Sequence, residues 1–190
     1  MNTLLIDTHM NKVVMVLFEN GQVIKKIEED SKQCHSVITM PKLEELLNSC
    51  DLDIRNIHEI IVVNGPGSFT GVRIGVTIAK TISFCLNIPI KVISSLEVLA
   101  ANVDDNCSKT VALNDRNGYF VGKFDKNNLF VDDYLYLSNQ EYLGYKQDNK
   151  VFDDIKSVDY EKVYRFALSK ENINSHLVNP LYVKKIEVQK

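Results

Sequence analysis

The densest group of residues that could do chemistry is a glycine-rich segment, Gly65-Pro66-Gly67-Ser68-Phe69-Thr70-Gly71-Val72-Arg73-Ile74-Gly75. It separates an apolar, strand-sized run from a helical one. Backbone N–H groups at such a junction bind anions with the help of the helix dipole. Two interpretations stay open. Gly65, Gly67, Ser68 and Thr70 face the phosphates of a nucleotide, or the segment is a tight turn with Thr70 as the helix N-cap and glycines that permit close packing.

Known phosphate-binding patterns do not decide between these interpretations. The segment lacks the Gly-Lys-Ser/Thr ending of a P-loop, and its G-x-G-x-x-x-G spacing is one residue longer than a dinucleotide fingerprint. Ser68 also lacks the G-x-S-x-G context of an esterase nucleophile. A nucleotide enzyme of either common class is therefore not indicated.

Metal chemistry is not indicated either. No two histidines lie three or four residues apart, and the cysteines form no C-x-x-C pair. We therefore expect no metal site from the histidines and cysteines, which are His9, His35, His58, His176, Cys34, Cys50, Cys85 and Cys107.

The composition excludes several broad classes. Of 190 residues, 45% are apolar and 25% charged, as in ordinary soluble domains. A net charge of −3 provides no overall positive field for a nucleic-acid backbone. We expect no stretch of about 18 apolar residues that spans a membrane, and no signal peptide at an N-terminus that reaches an acid at Asp7. The chain is predicted to be cytoplasmic, with reduced thiols.

The elements that would position the glycine-rich segment form an α/β pattern. Strands are predicted at 4–7, 12–19 and 22–28, with Asn20-Gly21 as a hairpin turn. Helices at 35–50 and 71–86 then alternate with strands at 57–64 and 90–93, and a helix capped by Ser94 or Ser95 follows at 95–101. Pro41 starts the first helix late or kinks it. The result is a mixed sheet flanked by helices.

Aromatic content divides the chain near residue 101. All eight tyrosines follow that point, so we predict an N-terminal lobe at 1–101 and a smaller C-terminal lobe at 102–190. Its turn is placed at Asp104-Asp105-Asn106. Strands at 110–113, 119–124 and 129–137, with helices at 138–144 and 160–169, would repeat the first half in reduced form.

The glycine-rich segment resembles the hallmark of the TsaB (YeaZ) family, the bacterial partner of the TsaD threonylcarbamoyl transferase of tRNA modification. Agreement continues in order through 4–8, 35–41, 46–47 and 88–97, and more weakly through 112–116 and 179–182. The resemblance implies an ASKHA-type fold (actin, sugar kinase, Hsp70), with two lobes of mixed sheets flanked by helices and a reduced second lobe.

The resemblance implies a non-catalytic scaffold subunit that binds and activates TsaD. TsaD relatives carry an H-x-x-x-H metal pair, and the matching positions here are Ser95 and Leu99, which cannot form such a pair. Asp7 holds the place where ASKHA enzymes have a phosphate- or metal-binding acid, or else it caps a turn with Thr8. The alternative function is a self-contained ASKHA-type enzyme that binds ATP in its own interlobe cleft.

The implied partners follow from the same resemblance. They are a TsaD-type catalytic subunit, a TsaE-type ATPase, and a second copy of this chain in a homodimer when it is alone. tRNA would be contacted only indirectly, and no membrane is involved. No cofactor is tightly bound, although ATP or ADP would be held at the boundary of the complex.

We place the contact surface on the first two helices. Gly71, Gly75 and Ala79 recur every four residues, and such small residues let another backbone approach. The alternative is that this face packs on its own sheet. The predicted interface consists of Val37, Met40, Leu43, Leu47, Gly71, Val72, Gly75, Ala79 and Ile82.

Overall fold

A computed structural model describes residues 1–31, 34–104 and 107–184 of the chain. Its first half holds a five-stranded sheet with three helices. The strands are β1 (Asn2–Asp7), β2 (Lys12–Glu19), β3 (Gln22–Asp30), β4 (Glu59–Val63) and β5 (Ile90–Ile93). The helices are α1 (His35–Asn48), α2 (Phe69–Leu86) and α3 (Ser95–Ala101).

The first sheet has the predicted mixed topology. Its strand order is β3-β2-β1-β4-β5, in which β1 pairs antiparallel with β2 and parallel with β4. Asn20 and Gly21 have φ angles of 50° and 85° and join β2 to β3, which confirms the predicted hairpin turn. Ser94 caps α3 in a capping box with Glu97, as one of the two predicted caps.

The second sheet repeats the first in reduced form. It consists of β6 (Lys109–Asp115), β7 (Gly118–Phe124), β8 (Leu135–Ser138) and β9 (Val151–Phe152), with helices α4 (Asn139–Asp148) and α5 (Tyr160–Ala167). Its order, β8-β7-β6-β9, has β9 parallel to β6 and so matches the order β3-β2-β1-β4. The predicted α/β fold of two mixed sheets flanked by helices is confirmed.

Helices cover both faces of the first sheet. Residues of α1 and α2 pack with one face in a single apolar cluster, and α5 packs on the other face. The rings of Phe18 and Tyr164 lie 4.9 Å apart at that second contact. Because α5 comes from the second half of the chain, a boundary at residue 101 separates the sheets but not the helices. The division into lobes at that residue stays a prediction.

Several predicted elements need correction. The strand expected at 129–137 is reduced to β8, because the side chain of Asp125 accepts hydrogen bonds from the backbone N–H groups of Asn127 and Leu129, both at 2.8 Å, and holds a loop there. Helix α1 begins six residues before Pro41, so a late start is wrong. The short strand β9 was not predicted. Of the turn expected at 104–106, Asp105 and Asn106 lie outside the described residues.

The expectation about apolar stretches also needs correction. Helix α2 has 18 residues and a mean hydropathy of 1.3, which by length and composition alone would suffice to cross a membrane. A third of the helix is buried, and it packs along the first sheet. The core helix of a sheet can therefore reach this hydropathy.

Stability should depend strongly on the contact between α5 and the first sheet. Phe18→Ala leaves a cavity beneath Tyr164, so we expect the free energy of unfolding to fall by about 3–5 kcal/mol. Leu143→Ala, at a side chain on α4 that is 64% exposed, should change it by less than about 0.5 kcal/mol. Urea unfolding of both variants checks this, and similar losses in both would contradict the packing.

Candidate functional site

The glycine-rich segment lies against the β1–β2 loop (residues 8–11). The backbone N–H of Ser68 donates to the carbonyl oxygen of His9 at 2.7 Å. A Cβ atom on Gly67 would lie only 2.2 Å from the same oxygen. The two loops therefore touch through their backbones, which requires a residue without a side chain at position 67.

The cap of α2 differs from the prediction. Ser68 is the N-cap, and its hydroxyl accepts a hydrogen bond from the N–H of Gly71 at 3.3 Å. Thr70 is an exposed residue of the first helical turn, so the prediction of Thr70 as the cap is wrong. Ser68 is the last residue with non-helical backbone angles, and the helix begins directly after it at Phe69.

The small face of α2 packs on the chain's own sheet. A Cβ on Gly71 would lie 2.1 Å from the carbonyl oxygen of Thr8, and one on Gly75 would lie 2.3 Å from the Thr8 hydroxyl. That hydroxyl donates to the carbonyl oxygen of Gly71 at 2.7 Å. These glycines therefore serve the approach of α2 to β1, which was the alternative interpretation.

Most of the predicted interface is therefore unavailable to a partner. Its apolar members join the core cluster beneath α1 and α2, and its glycines contact Thr8. The buried residues are Leu43, Leu47, Gly71, Val72, Gly75 and Ala79. Val37 and Met40 are 68% and 52% exposed, and Ile82 is half-buried, so these three keep accessible surface.

The β1–β2 loop uses its polar groups internally. The carboxylate of Asp7 accepts hydrogen bonds from the backbone N–H of His9 at 3.1 Å and from the Nδ1–H of its ring. The carbonyl oxygen of Met10 accepts from Nε2 of His35 at 2.7 Å, and that of Asn11 accepts from the N–H of Ser31 at 2.8 Å. Asp7 thus behaves as a turn acid, although its hydrogen bonds are to His9 and not to Thr8.

A cleft of about 1470 Å³ separates the loops of the two sheets. One wall comes from the β1–β2 loop and the start of α2, and the opposite wall from the β6–β7 turn and β8. Gly67, Ser68 and Thr70 line it as predicted, whereas Asp7 and Gly65 are not among the described lining residues. Gly65 instead faces the chain's own C-terminal segment, since a Cβ there would lie 3.1 Å from the carbonyl oxygen of Leu181.

The C-terminal segment (residues 178–184) closes one end of the cleft. The N–H of Leu181 donates to the carbonyl oxygen of Asn64 at 2.8 Å, and the amide of Asn64 donates to that of Asn179 at 3.0 Å. Sequence reasoning missed this role. The weak family signature at 179–182 was the available signal.

Charged and aromatic side chains pair along the cleft. The guanidinium of Arg73 lies 4.0 Å from the centre of the Phe69 ring, and its Nε donates to the hydroxyl of Tyr182 at 2.7 Å. The Nζ of Lys184 lies 3.8 Å from the carboxylate of Asp115. The hydroxyl of Tyr136 donates to that same carboxylate at 3.1 Å.

Tyr134 is not poised for acid–base chemistry at neutral pH. Its hydroxyl lies 2.9 Å from that of Ser94. Burial, helped by the negative charge of Glu97, raises the pKa of Tyr134 to about 12. The phenol therefore stays neutral and serves as a hydrogen-bonding group.

The described residues offer no group of three or more His, Cys, Asp or Glu side chains that could hold a metal ion. The positions that match the TsaD metal pair have other roles. The hydroxyl of Ser95 donates to the carbonyl oxygen of Pro66 at 2.6 Å, and Leu99 packs against the apolar cluster of the second sheet.

Known proteins resemble this chain in sequence over its first half. A model of the family described as TsaD, tRNA N6-adenosine threonylcarbamoyltransferase, matches residues 22–114. The tRNA threonylcarbamoyladenosine biosynthesis protein TsaB of Bacillus subtilis (strain 168) is 47% identical over 102 residues, which are 54% of this chain and 44% of that relative. The chain therefore spans less than half the length of that TsaB.

Other proteins resemble nearly the whole chain. An uncharacterized MG208 homolog of Mycoplasma pneumoniae is 28% identical over 185 residues, which cover 93% of this chain and 90% of the relative. The solved structure of YeaZ from Pseudomonas aeruginosa superposes with a TM-score of 0.76 at 18% identity, over 95% of this chain and 99% of that one. At that identity the likeness shows the fold, which confirms the predicted ASKHA-type arrangement.

The contact between α2 and β1 can be tested with two glycines. Gly75→Ala places a methyl group against the Thr8 hydroxyl, so we expect overpacking to lower the free energy of unfolding by about 1–3 kcal/mol. Gly144→Ala is the matched control, because no atom lies within 4 Å of its new methyl group on α4. This control should gain about 0.5–1 kcal/mol of helix stability. Opposite signs in chemical denaturation are the expected result, and a gain in both would contradict the contact.

Proposed function

Because the chain belongs to the TsaB (YeaZ) family, we propose that it is a non-catalytic subunit that binds and activates a TsaD-type transferase in the synthesis of threonylcarbamoyladenosine in tRNA. One observation carries the proposal. The chain matches the TsaD family model over residues 22–114, yet it has Ser95 and Leu99 where the transferases have their metal pair. A transferase-like lobe without its metal ligands fits a partner better than a catalyst.

The accessible apolar residues of α1 support a partner role. Val37 and Met40 are exposed on the helix that shares a core cluster with α2, and Ile82 is half-buried on α2. Large exposed apolar side chains grouped on one side of a domain are typical of association surfaces. We place the contact with the transferase there, and the same surface would form the homodimer. A stable contact should bury about 1,200–2,000 Å² in total.

The remaining assignments extend this proposal. A TsaE-type ATPase joins the complex, ATP or ADP is held at the subunit boundary, and the complex works in the cytoplasm. The net charge of −3 supports a division of labour in which other subunits make most of the contact with tRNA. The competing proposal, an ATP-dependent enzyme using its own cleft, is weakened because Asp7 hydrogen-bonds within its own loop.

Reconstitution tests the function directly. The chain alone should transfer no threonylcarbamoyl group to tRNA and should hydrolyse ATP only at background rate. Addition of the transferase from the same organism should give activity that depends on the chain. Incorporation of labelled threonine into tRNA is the measurement. Robust turnover of ATP by the chain alone, lost in Asp7→Asn, would contradict the partner role and support the competing enzyme.

Substitutions on α1 test the surface. Val37→Asp combined with Met40→Asp places two charges on exposed positions, so the melting temperature should change little. Association with the transferase should weaken at least tenfold, since a desolvated charge in an interface costs about 2–5 kcal/mol. Leu143→Asp, an equally exposed apolar position on α4, is the control and should bind normally. Isothermal titration calorimetry gives both affinities, and normal binding by the double variant would place the contact elsewhere.

A further inference from the structure

We propose that the cleft between the two sheets binds a short single-stranded segment of RNA, with its phosphates facing Arg116 and Lys184 and a base stacked on Arg73. The proposal rests on the proposed function, because it assigns this chain a direct contact with the RNA on which the complex acts. It assigns that contact to the cleft rather than to the chain surface as a whole.

The charge of the cleft opposes that of the chain. Among the described lining residues, three are cations and one is a carboxylate, whereas the whole chain carries −3. The carboxylate of Asp115 is already held by Lys184 and by the hydroxyl of Tyr136. Arg116 is exposed and belongs to none of the ion pairs formed among the described residues. Such a cleft concentrates positive potential where an anion would enter.

The guanidinium of Arg73 is held as a flat platform. It lies 4.0 Å from the centre of the Phe69 ring, and Tyr182 fixes its orientation through the hydrogen bond to Nε. Phe69 and Tyr182 remain 50% and 51% exposed. Unstacked RNA bases pack on aromatic rings and on guanidinium planes of this kind. Because the protein already orders this platform, a bound base would lose little affinity to side-chain ordering.

The size of the cleft favours a chain over a single nucleotide. Its volume of about 1470 Å³ exceeds the 300–1,000 Å³ typical of small-molecule sites. The exposed amides of Asn114 and Asn117 also line it and can bond base edges or 2′-hydroxyl groups. A free nucleotide would leave part of this lining unused. An acidic peptide would satisfy the cations but not the stacking platform.

Fluorescence anisotropy of labelled oligo-uridine with the full chain tests the proposal. We expect binding at low salt, with a slope of log K against log salt of about −1.4 to −2.1 for two or three phosphates. Arg116→Gln should reduce that slope by about 0.7 and weaken binding several-fold. Arg73→Lys keeps the charge but removes the plane, so it should weaken binding about tenfold with an unchanged slope. Lys25→Gln, on the exposed edge strand β3, is the control and should bind as the unmodified chain does.

Competitors and a second readout decide the other outcomes. Uridine monophosphate that displaces the RNA at equal concentration would show a single-nucleotide site and overturn the proposal. Polyglutamate that binds as tightly would show an acidic-protein site and also overturn it. An Arg116→Gln variant that binds RNA normally would do the same. Association with the transferase is measured on the same variants. Retained association without RNA binding would refute this inference alone, whereas RNA binding without association would refute the proposed function.

Discussion

The close approach of α2 to the end of β1 is the contact on which the rest of the molecule depends. The Thr8 hydroxyl bonds to the carbonyl oxygen of Gly71, at a separation that leaves no room for a side chain on Gly71 or Gly75. Because α2 is fixed against β1, the segment before it meets the β1–β2 loop, where Ser68 bonds to His9. One wall of the cleft is thereby set by backbone contacts, which vary less than side-chain contacts do.

The same contact separates this molecule from a nucleotide-binding enzyme. In the β1–β2 loop, the Asp7 carboxylate is engaged by His9, and the carbonyl oxygen of Met10 is engaged by His35. Groups that could have contacted a phosphate or a metal therefore stabilise a turn. The α/β architecture is retained, but its polar atoms at this point hold one loop against another. This is the arrangement expected of a subunit whose role is association.

Repetition of one topology explains where the cleft lies. The order β8-β7-β6-β9 repeats β3-β2-β1-β4, and the loops of the two sheets face each other across the cleft. The C-terminal segment joins both sides, since Leu181 bonds to Asn64 beside the first sheet and Lys184 pairs with Asp115 of β6. Helix α5 adds a second connection through Tyr164 and Phe18. The two sheets therefore share contacts well beyond the single crossing of the chain near residue 101.

The sequence by itself determined the elements whose signals are local. Strands β2 and β5 and helix α3 have the predicted bounds, because alternation, helical spacing and a serine cap are properties of neighbouring residues. Only the tertiary structure decided what each face meets. The spacing of Gly71 and Gly75 indicated a close approach, but a partner helix and the chain's own Thr8 produce the same pattern. Arg73 and Tyr182 are 109 residues apart, and no periodicity connects them. Hydrophobic patterns show which side of an element is buried, whereas the identity of the covering surface depends on packing among distant segments.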